Sequence, residues 1–250
     1  MAIEHGSQSV VPYVLAKNAS QLIAFLTEAF GAEEMLRVPT AEGAVMHAEI
    51  RVGDSLVEMA DGNPTYPAAA MALHLYVPDA DAVYRKALES GATSLREPVG
   101  QAYGDRESGI VDPNGNCWWI ATHLATGDKP EGFRSVTPYL IVNGADQFLE
   151  FLKAVFAAEE VSVTRSPEGA LRHSEMRIGN SLIEASEAHA MSPIPGVLHV
   201  FVADVDAVYA RAVAAGAISE AAPQDKPYGE RGAAVKDSWG NSWYLAQVLV

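Results

Sequence analysis

Two short stretches place acid–base side chains at spacings that could do chemistry. His47, Glu49 and Glu58 flank the turn Gly53-Asp54, and His173, Glu175 and Glu184 flank Gly179-Asn180. Gly-Asp and Gly-Asn between alternating apolar runs signal a tight β-hairpin. With Val52 opposite Ser55, Glu49 falls opposite Glu58. Strand alternation then puts His47, Glu49 and Glu58 on one face and Ala48, Ile50, Val57 and Met59 on the other. Two carboxylates and an imidazole on one face allow three readings. They form an acid/base pair in which one carboxyl is raised by its neighbour, or part of a divalent-metal site with His74 as a further ligand. In the third reading, Glu49 and Arg51 are salt-bridged rim residues and His47 is a wall residue.

The elements that must position these residues come in duplicate. Pro12 recurs as Pro138, Phe25 and Phe30 as Phe151 and Phe156, and Gly53-Asp-Ser-Leu-Val-Glu58 as Gly179-Asn-Ser-Leu-Ile-Glu184. After a one-residue deletion the register resumes: His74 matches His199, Tyr103-Gly-Asp-Arg106 matches Tyr228-Gly-Glu-Arg231, and Gly115-Asn-Cys-Trp118 matches Gly240-Asn-Ser-Trp243. Register held over a whole domain marks a tandem duplication. The expected boundaries are 1–125 and 135–250, joined by a polar, Gly- and Pro-containing linker over 126–134. Each copy reads as βαβββ followed by βαβββ, so the chain holds four such modules. Asn18 or Ser20 would cap the first helix, and Asp79 or Asp81 the second.

Composition narrows the function classes. The 250 residues carry 32 acidic and 17 basic side chains, a formal net charge of −15. Such a surface repels nucleic-acid phosphates and anionic membranes, and it either steers a cationic ligand or only confers solubility. No apolar run is long enough to span a bilayer, and the first residues lack a signal-peptide pattern. One cysteine, Cys117, excludes an internal disulfide and fits a reducing, cytoplasmic location. No phosphate-binding Gly-rich loop, cysteine-based zinc motif or Gly-x-Ser-x-Gly turn is present.

The motifs Val-x-Pro-Tyr-Leu with a Phe-rich helix and Ala-Glu-Glu (137–160), His-x-Glu-x-Arg-x-Gly (47–53 and 173–179), His-x-x-Val-x-Asp (74–79 and 199–204) and Asp112-Pro-Asn-Gly-Asn116 resemble the vicinal oxygen chelate superfamily. That superfamily includes glyoxalase I, bleomycin-resistance proteins, fosfomycin-resistance enzymes and extradiol dioxygenases. Within it the chain resembles the PhnB-like glyoxalase-like proteins. The resemblance implies an α+β fold of two tandem domains, each of two βαβββ modules forming a curved mixed sheet with helices outside. It also implies a small organic ligand, and either a monomer with an internal pseudo-dimer or a homodimer. Members with one domain often pair modules of two chains, and a tandem copy could build that arrangement within one chain.

The family's metal site takes one ligand from the first and fourth strand of each module. Carried over, these positions are Val11, Glu58, His74 and Trp119 in the first copy and Thr137, Glu184, His199 and Tyr244 in the second. Glu58, His74, Glu184 and His199 are thus the catalytic or metal-ligand candidates, a partial set of two donors per copy, where a catalytic metal usually has three. An extradiol dioxygenase is excluded because Thr137 and Tyr244 stand where His and Glu are required. Two readings follow. One is a small-molecule binding protein with a degenerate metal site and no cofactor. The other is a lyase or isomerase similar to glyoxalase I, using zinc, nickel, manganese or iron. The expected ligand-binding lining is His47, Glu49, Tyr13, Tyr76, Tyr103, Arg106 and Trp119, with His173, Glu175, Tyr139, Phe201, Tyr228, Arg231 and Tyr244 in the second copy. Aromatic walls suit a planar or cationic ligand. Arg106 and Arg231 either hold an anionic ligand group or pair internally with Asp105, Glu107 or Glu230.

Overall fold

The computed structural model describes residues 8–189 and 191–249; His5, for which the sequence offers no partner, lies outside them. The first module is β1 (Val10–Ala16), α1 (Ala19–Phe30), β2 (Glu33–Pro39), β3 (Val45–Val52) and β4 (Ser55–Asp61). The second is β5 (Ala72–Tyr76), α2 (Ala80–Glu89), β6 (Thr93–Gly100), β7 (Asp105–Val111) and β8 (Cys117–His123). The second copy repeats the order with β9 (Val136–Val142), α3 (Ala145–Phe156), β10 (Glu159–Arg165), β11 (Leu171–Ile178) and β12 (Ser181–Glu187). It ends with β13 (Val197–Phe201), α4 (Val205–Ala214), β14 (Ile218–Asp225), β15 (Glu230–Lys236) and β16 (Ser242–Val248).

Local chemistry sets the helix ends. Asn18 caps α1, its side chain accepting from the Gln21 N–H at 2.9 Å. Leu22, Ile23, Phe25 and Leu26 are buried along one stripe, and Gly31 closes the helix at φ +66°. Asp79 and Asp204 cap α2 and α4 in the same way, accepting from Ala82 and Ala207 at 2.9 Å each. In α3 the side-chain cap is missing, and the Glu187 carboxylate instead accepts from the Gly144 and Ala145 N–H groups at 2.9 and 2.8 Å. The turn before each final strand is built around a buried carboxylate. Asp112 accepts from the Asn114 and Asn116 N–H groups, the Asn116 amide and the Trp118 indole at 2.8–3.0 Å. Asp237 repeats this with Trp239, Asn241 and Trp243.

The strands form two eight-stranded mixed sheets, ordered β14-β15-β16-β13-β1-β4-β3-β2 and β10-β11-β12-β9-β5-β8-β7-β6. The duplicated first strand is the pivot. Val10–Pro12 runs antiparallel to β13, with Val11 opposite His199, and Tyr13–Ala16 runs parallel to β4, with Tyr13 opposite Glu58. β9 pairs in parallel with β12, Tyr139 opposite Glu184, and follows β5 in the other sheet. Within one copy, then, the two modules belong to different sheets. The described residues divide into two compact units, 13–138 and 8–12 with the described part of 139–249.

Each sheet has a helix-covered face. In β5–β8 this face carries Leu73, Leu75, Ile110, Trp118 and Ile120, each at most 1% exposed. Trp118 packs edge-on against Phe30 of α1 at 5.0 Å between ring centroids. The opposite face holds the residues of chemical interest. Among the described residues no helix is long and apolar enough to cross a membrane.

Candidate functional site

The β3–β4 hairpin has the register its turn demands. Val52 lies opposite Ser55 and Glu49 opposite Glu58, while Ala48, Ile50, Val57 and Met59 are fully buried on the helix side. Glu58 is 1% exposed and Glu49 9%. His47 Nε2 lies 3.6 Å from Glu49, and its Nδ1 is 3.3 Å from the Tyr13 hydroxyl. The trio therefore shares a face beneath Tyr13. Arg51 is not the partner of Glu49; it pairs with Glu33 on β2. Burial takes Glu49 out of the rim.

The second copy repeats the arrangement. Glu175 lies opposite Glu184, and His173 Nε2 is 3.8 Å from Glu175 and 4.0 Å from Glu184. Tyr139 meets the His173 ring edge-on at 5.8 Å. The Glu184 side chain is 2% exposed and that of Glu175 21%, so the inner carboxylate is the sequestered one in both copies.

The face of β5–β8 away from the helices carries a richer network. His74 stacks on Tyr76 at 4.4 Å, and Tyr76 meets Phe133 edge-on at 5.3 Å. The Tyr76 hydroxyl donates to Asp105 at 2.8 Å, and His123 Nδ1 lies 2.6 Å from the other oxygen of Asp105. Glu107, 7% exposed, receives the Tyr103 hydroxyl at 3.0 Å, lies 3.8 Å from His74 Nε2 and forms an ion pair with Arg96. The Arg96 guanidinium also sits over the Trp119 ring, 5.1 Å from its centroid. Gly109 makes this possible, since a Cβ there would come within 2.6 Å of the indole.

Sequence reasoning passed over Arg96, Asp105, Glu107 and His123 as site residues. A signal was available. Period 2 along β7 puts Asp105, Glu107 and Gly109 on one face, and the second copy has Glu230, Gly232 and Ala234 there. Two N–H groups on this face, Arg96 Nε and Trp119 Nε1, are buried with no hydrogen-bond partner among the described residues. Each such group costs about 1–3 kcal/mol.

The expected lining residues Arg106 and Arg231 lie elsewhere, and Tyr103 reaches the face only through its hydroxyl. Tyr103 precedes β7, in the turn rather than the strand, and is 62% exposed; Tyr228 is 71% exposed. Arg106 alternates to the helix side, where Asp81 in the first turn of α2 holds it through two bonds of 2.7 and 2.8 Å. The hydrogen bond from Arg106 keeps the Asp81 carboxyl below its ordinary range. Arg231 likewise pairs with Asp206 of α4 and with Asp225. Neither guanidinium uses the partners considered from sequence, Asp105, Glu107 or Glu230. An acidic residue in a helix's first turn is a better neighbour. In β13–β16, His199 stacks on Phe201 at 4.5 Å, and His199 is opposite Tyr244 on β16. Phe201 also lines a shallow depression of about 320 Å³ with Val202, Ala203, Ala246, Gln247 and Val248.

The donors assigned to a metal do not come together copy by copy. Glu58 lies on β4 and His74 on β5, in different sheets, and Glu184 and His199 are separated in the same way. The remaining positions hold Val11 and Trp119, or Thr137 and Tyr244. Among the described residues, no group of three or more His, Cys, Asp or Glu side chains is placed to hold a metal ion. The donor set does not fit a closed divalent-metal site. Cys117 is buried, and burial pushes its thiol pKa up, away from thiolate chemistry.

A βαβββ module used four times, with one hairpin face of each copy carrying His, Glu and Glu, defines the class of protein. The family model described as "Glyoxalase/Bleomycin resistance protein/Dioxygenase superfamily" matches residues 9–120 and 132–245, and the chain belongs to that superfamily. An uncharacterised protein of Mycobacterium bovis is 32% identical over 118 residues, covering 43% of this chain and 78% of the relative. Among solved structures, glyoxalase I from Zea mays is similar in fold, with a TM-score of 0.71 at 13% identity over 96% of this chain and 92% of that one. A putative dioxygenase from Bacillus subtilis gives a TM-score of 0.61 at 12% identity, over 95% and 84%. At these identities the structural likeness concerns the fold alone.

Proposed function

We propose that this chain is a small-molecule binding protein of the glyoxalase/bleomycin-resistance type whose ancestral metal site is degenerate. The observation that supports this reading is the donor set. The implied first- and last-strand positions hold Val11 and Trp119 in one copy and Thr137 and Tyr244 in the other. The carboxylates of these faces meet histidines, a tyrosine and an arginine. Such surfaces bind by stacking, hydrogen bonding and charge, with Tyr13, Tyr76, Trp119, Tyr139, Phe201 and Tyr244 as apolar walls and His47, Glu49, His173 and Glu175 as polar contacts. The acidic surface favours ligands bearing positive charge.

The competing reading is a lyase or isomerase similar to glyoxalase I, in which Glu58 or Glu184 moves a proton and His74 or His199 assists. Elemental analysis of purified protein separates the two, combined with tryptophan-fluorescence titration against planar aromatic dyes, cationic and neutral. The binding reading expects metal-free protein and saturable quenching. Stoichiometric zinc, nickel, manganese or iron that is lost on Glu58→Ala or Glu184→Ala would overturn it.

A further inference from the structure

We propose that the β5–β8 face of the first copy is a site for an organic cation with delocalised charge, and that Arg96 is the cation filling it in this structure. This deepens the binding-protein reading and rests on it. A guanidinium or amidinium needs an aromatic face and an anion beside it. Trp119 and Glu107 are that pair, and the Arg96 guanidinium engages both, 5.1 Å above the ring and in an ion pair with the carboxylate.

The two partners differ in mobility. The Glu107 side chain is 9% exposed and fixed by the Tyr103 hydroxyl, with His74 at 3.8 Å. The Arg96 side chain is 40% exposed and comes from β6, the edge strand of the sheet. It can swing out without opening the core. Its fit is also imperfect, because its own Nε–H and the Trp119 Nε1–H are buried without acceptors among the described residues. A side chain tethered to an edge strand holds its Nε–H where no acceptor reaches it, and swinging out returns that donor to water.

The second copy supplies the internal control. At the positions of Arg96, Glu107 and Trp119 it has Ala221, Gly232 and Tyr244, so cation and anion are lost together. Yet β14, β15 and β16 pair in the same ladder, with Ala221 opposite Ala234 where Arg96 lies opposite Gly109. The fold therefore does not require the Arg96–Glu107 pair, and the site belongs to the first copy alone.

The test uses benzamidinium and its neutral near-isostere benzamide as probes, titrated calorimetrically at pH 8 into the full chain. The variants are Arg96→Ala, Arg96→Met, which keeps an apolar stem over Trp119, and each of these combined with Glu107→Gln. Thermal melts establish that each variant is folded, and the Met series serves if the Ala series is not. Removing Arg96 is expected to tighten benzamidinium binding at least tenfold over the unmodified chain, to leave benzamide unchanged within twofold, and to lose the gain when Glu107→Gln is added. An unchanged benzamidinium affinity, an equal gain for benzamide, or a gain that survives Glu107→Gln overturns the proposal. Each of those results leaves the broader binding reading standing; that reading falls instead on bound stoichiometric metal.

Discussion

Asp112 and Asp237 are buried carboxylates that each organise a turn and anchor a core tryptophan. Replacing either by Ala strands an indole N–H and several backbone donors. Asp112→Ala is expected to cost roughly 3 kcal/mol or more, read as a lowered urea midpoint at unchanged slope. For Asp237, burial raises the carboxyl pKa and outweighs the hydrogen bonds from Asn241 and Trp243. A carboxyl whose folded pKa lies above its unfolded value favours folding most at low pH. That contribution fades as pH rises from the unfolded value, about 4, through the folded one. Asp54 has the opposite sign. Burial alone would raise its pKa, but the Ser135 N–H and hydroxyl together with Lys129 lower it. Its contribution is full above the unfolded value and lost as pH falls through the folded one. Asp54→Asn should therefore flatten the acid limb of stability between pH 5 and 3, and Asp237→Asn should steepen it, as measured by urea midpoints across that range.

At the scale of elements, the copies show which features a βαβββ module requires. Gly31 ends α1 with a positive φ, and Ala157 occupies the matching position after α3 at φ +53°. An alanine held there is strained by about 1 kcal/mol, so Ala157→Gly is expected to raise stability by about 0.5–1 kcal/mol. The hairpin turns tolerate no such exchange. A Cβ on Gly53 would lie 2.2 Å from the Ser135 hydroxyl, and one on Gly179 would lie 2.2 Å from that of Ser9. Gly53→Ala should cost about 2 kcal/mol through left-handed strain plus the clash, and the loss should appear in thermal melts. These turns fix the register that places Glu49 opposite Glu58.

At the scale of the molecule, duplication has kept the scaffold and let its faces diverge. The β3–β4 and β11–β12 hairpins retain the same His, Glu and Glu, while β5–β8 and β13–β16 differ in charge and ring size. Two ligand sites of unequal affinity are expected, or one active and one silent. Titration yielding two identical, independent sites per chain would contradict this. Glu107→Gln should alter a cationic ligand's binding at no more than one site per chain, which calorimetric stoichiometry reports.

The repeat, the four modules, a cap at Asn18 or Ser20 and another at Asp79 or Asp81, and the shared face of His47, Glu49 and Glu58 were all legible in the sequence. Each depends on interactions between residues a few positions apart or on the two-residue period of a strand. What sequence alone left undecided depends on pairing across long separations. Only the strand order separates Glu58 from His74, because a first strand can hydrogen-bond with a distant module as well as with its own. Only the packing of α2 against β7 gives Arg106 to Asp81. Only the approach of edge strand β6 brings Arg96 over Trp119 and against Glu107, beside the His74 that sequence had singled out for other work. Period and turn chemistry decide which face a side chain takes; the choice of neighbouring strand and helix decides what it meets there.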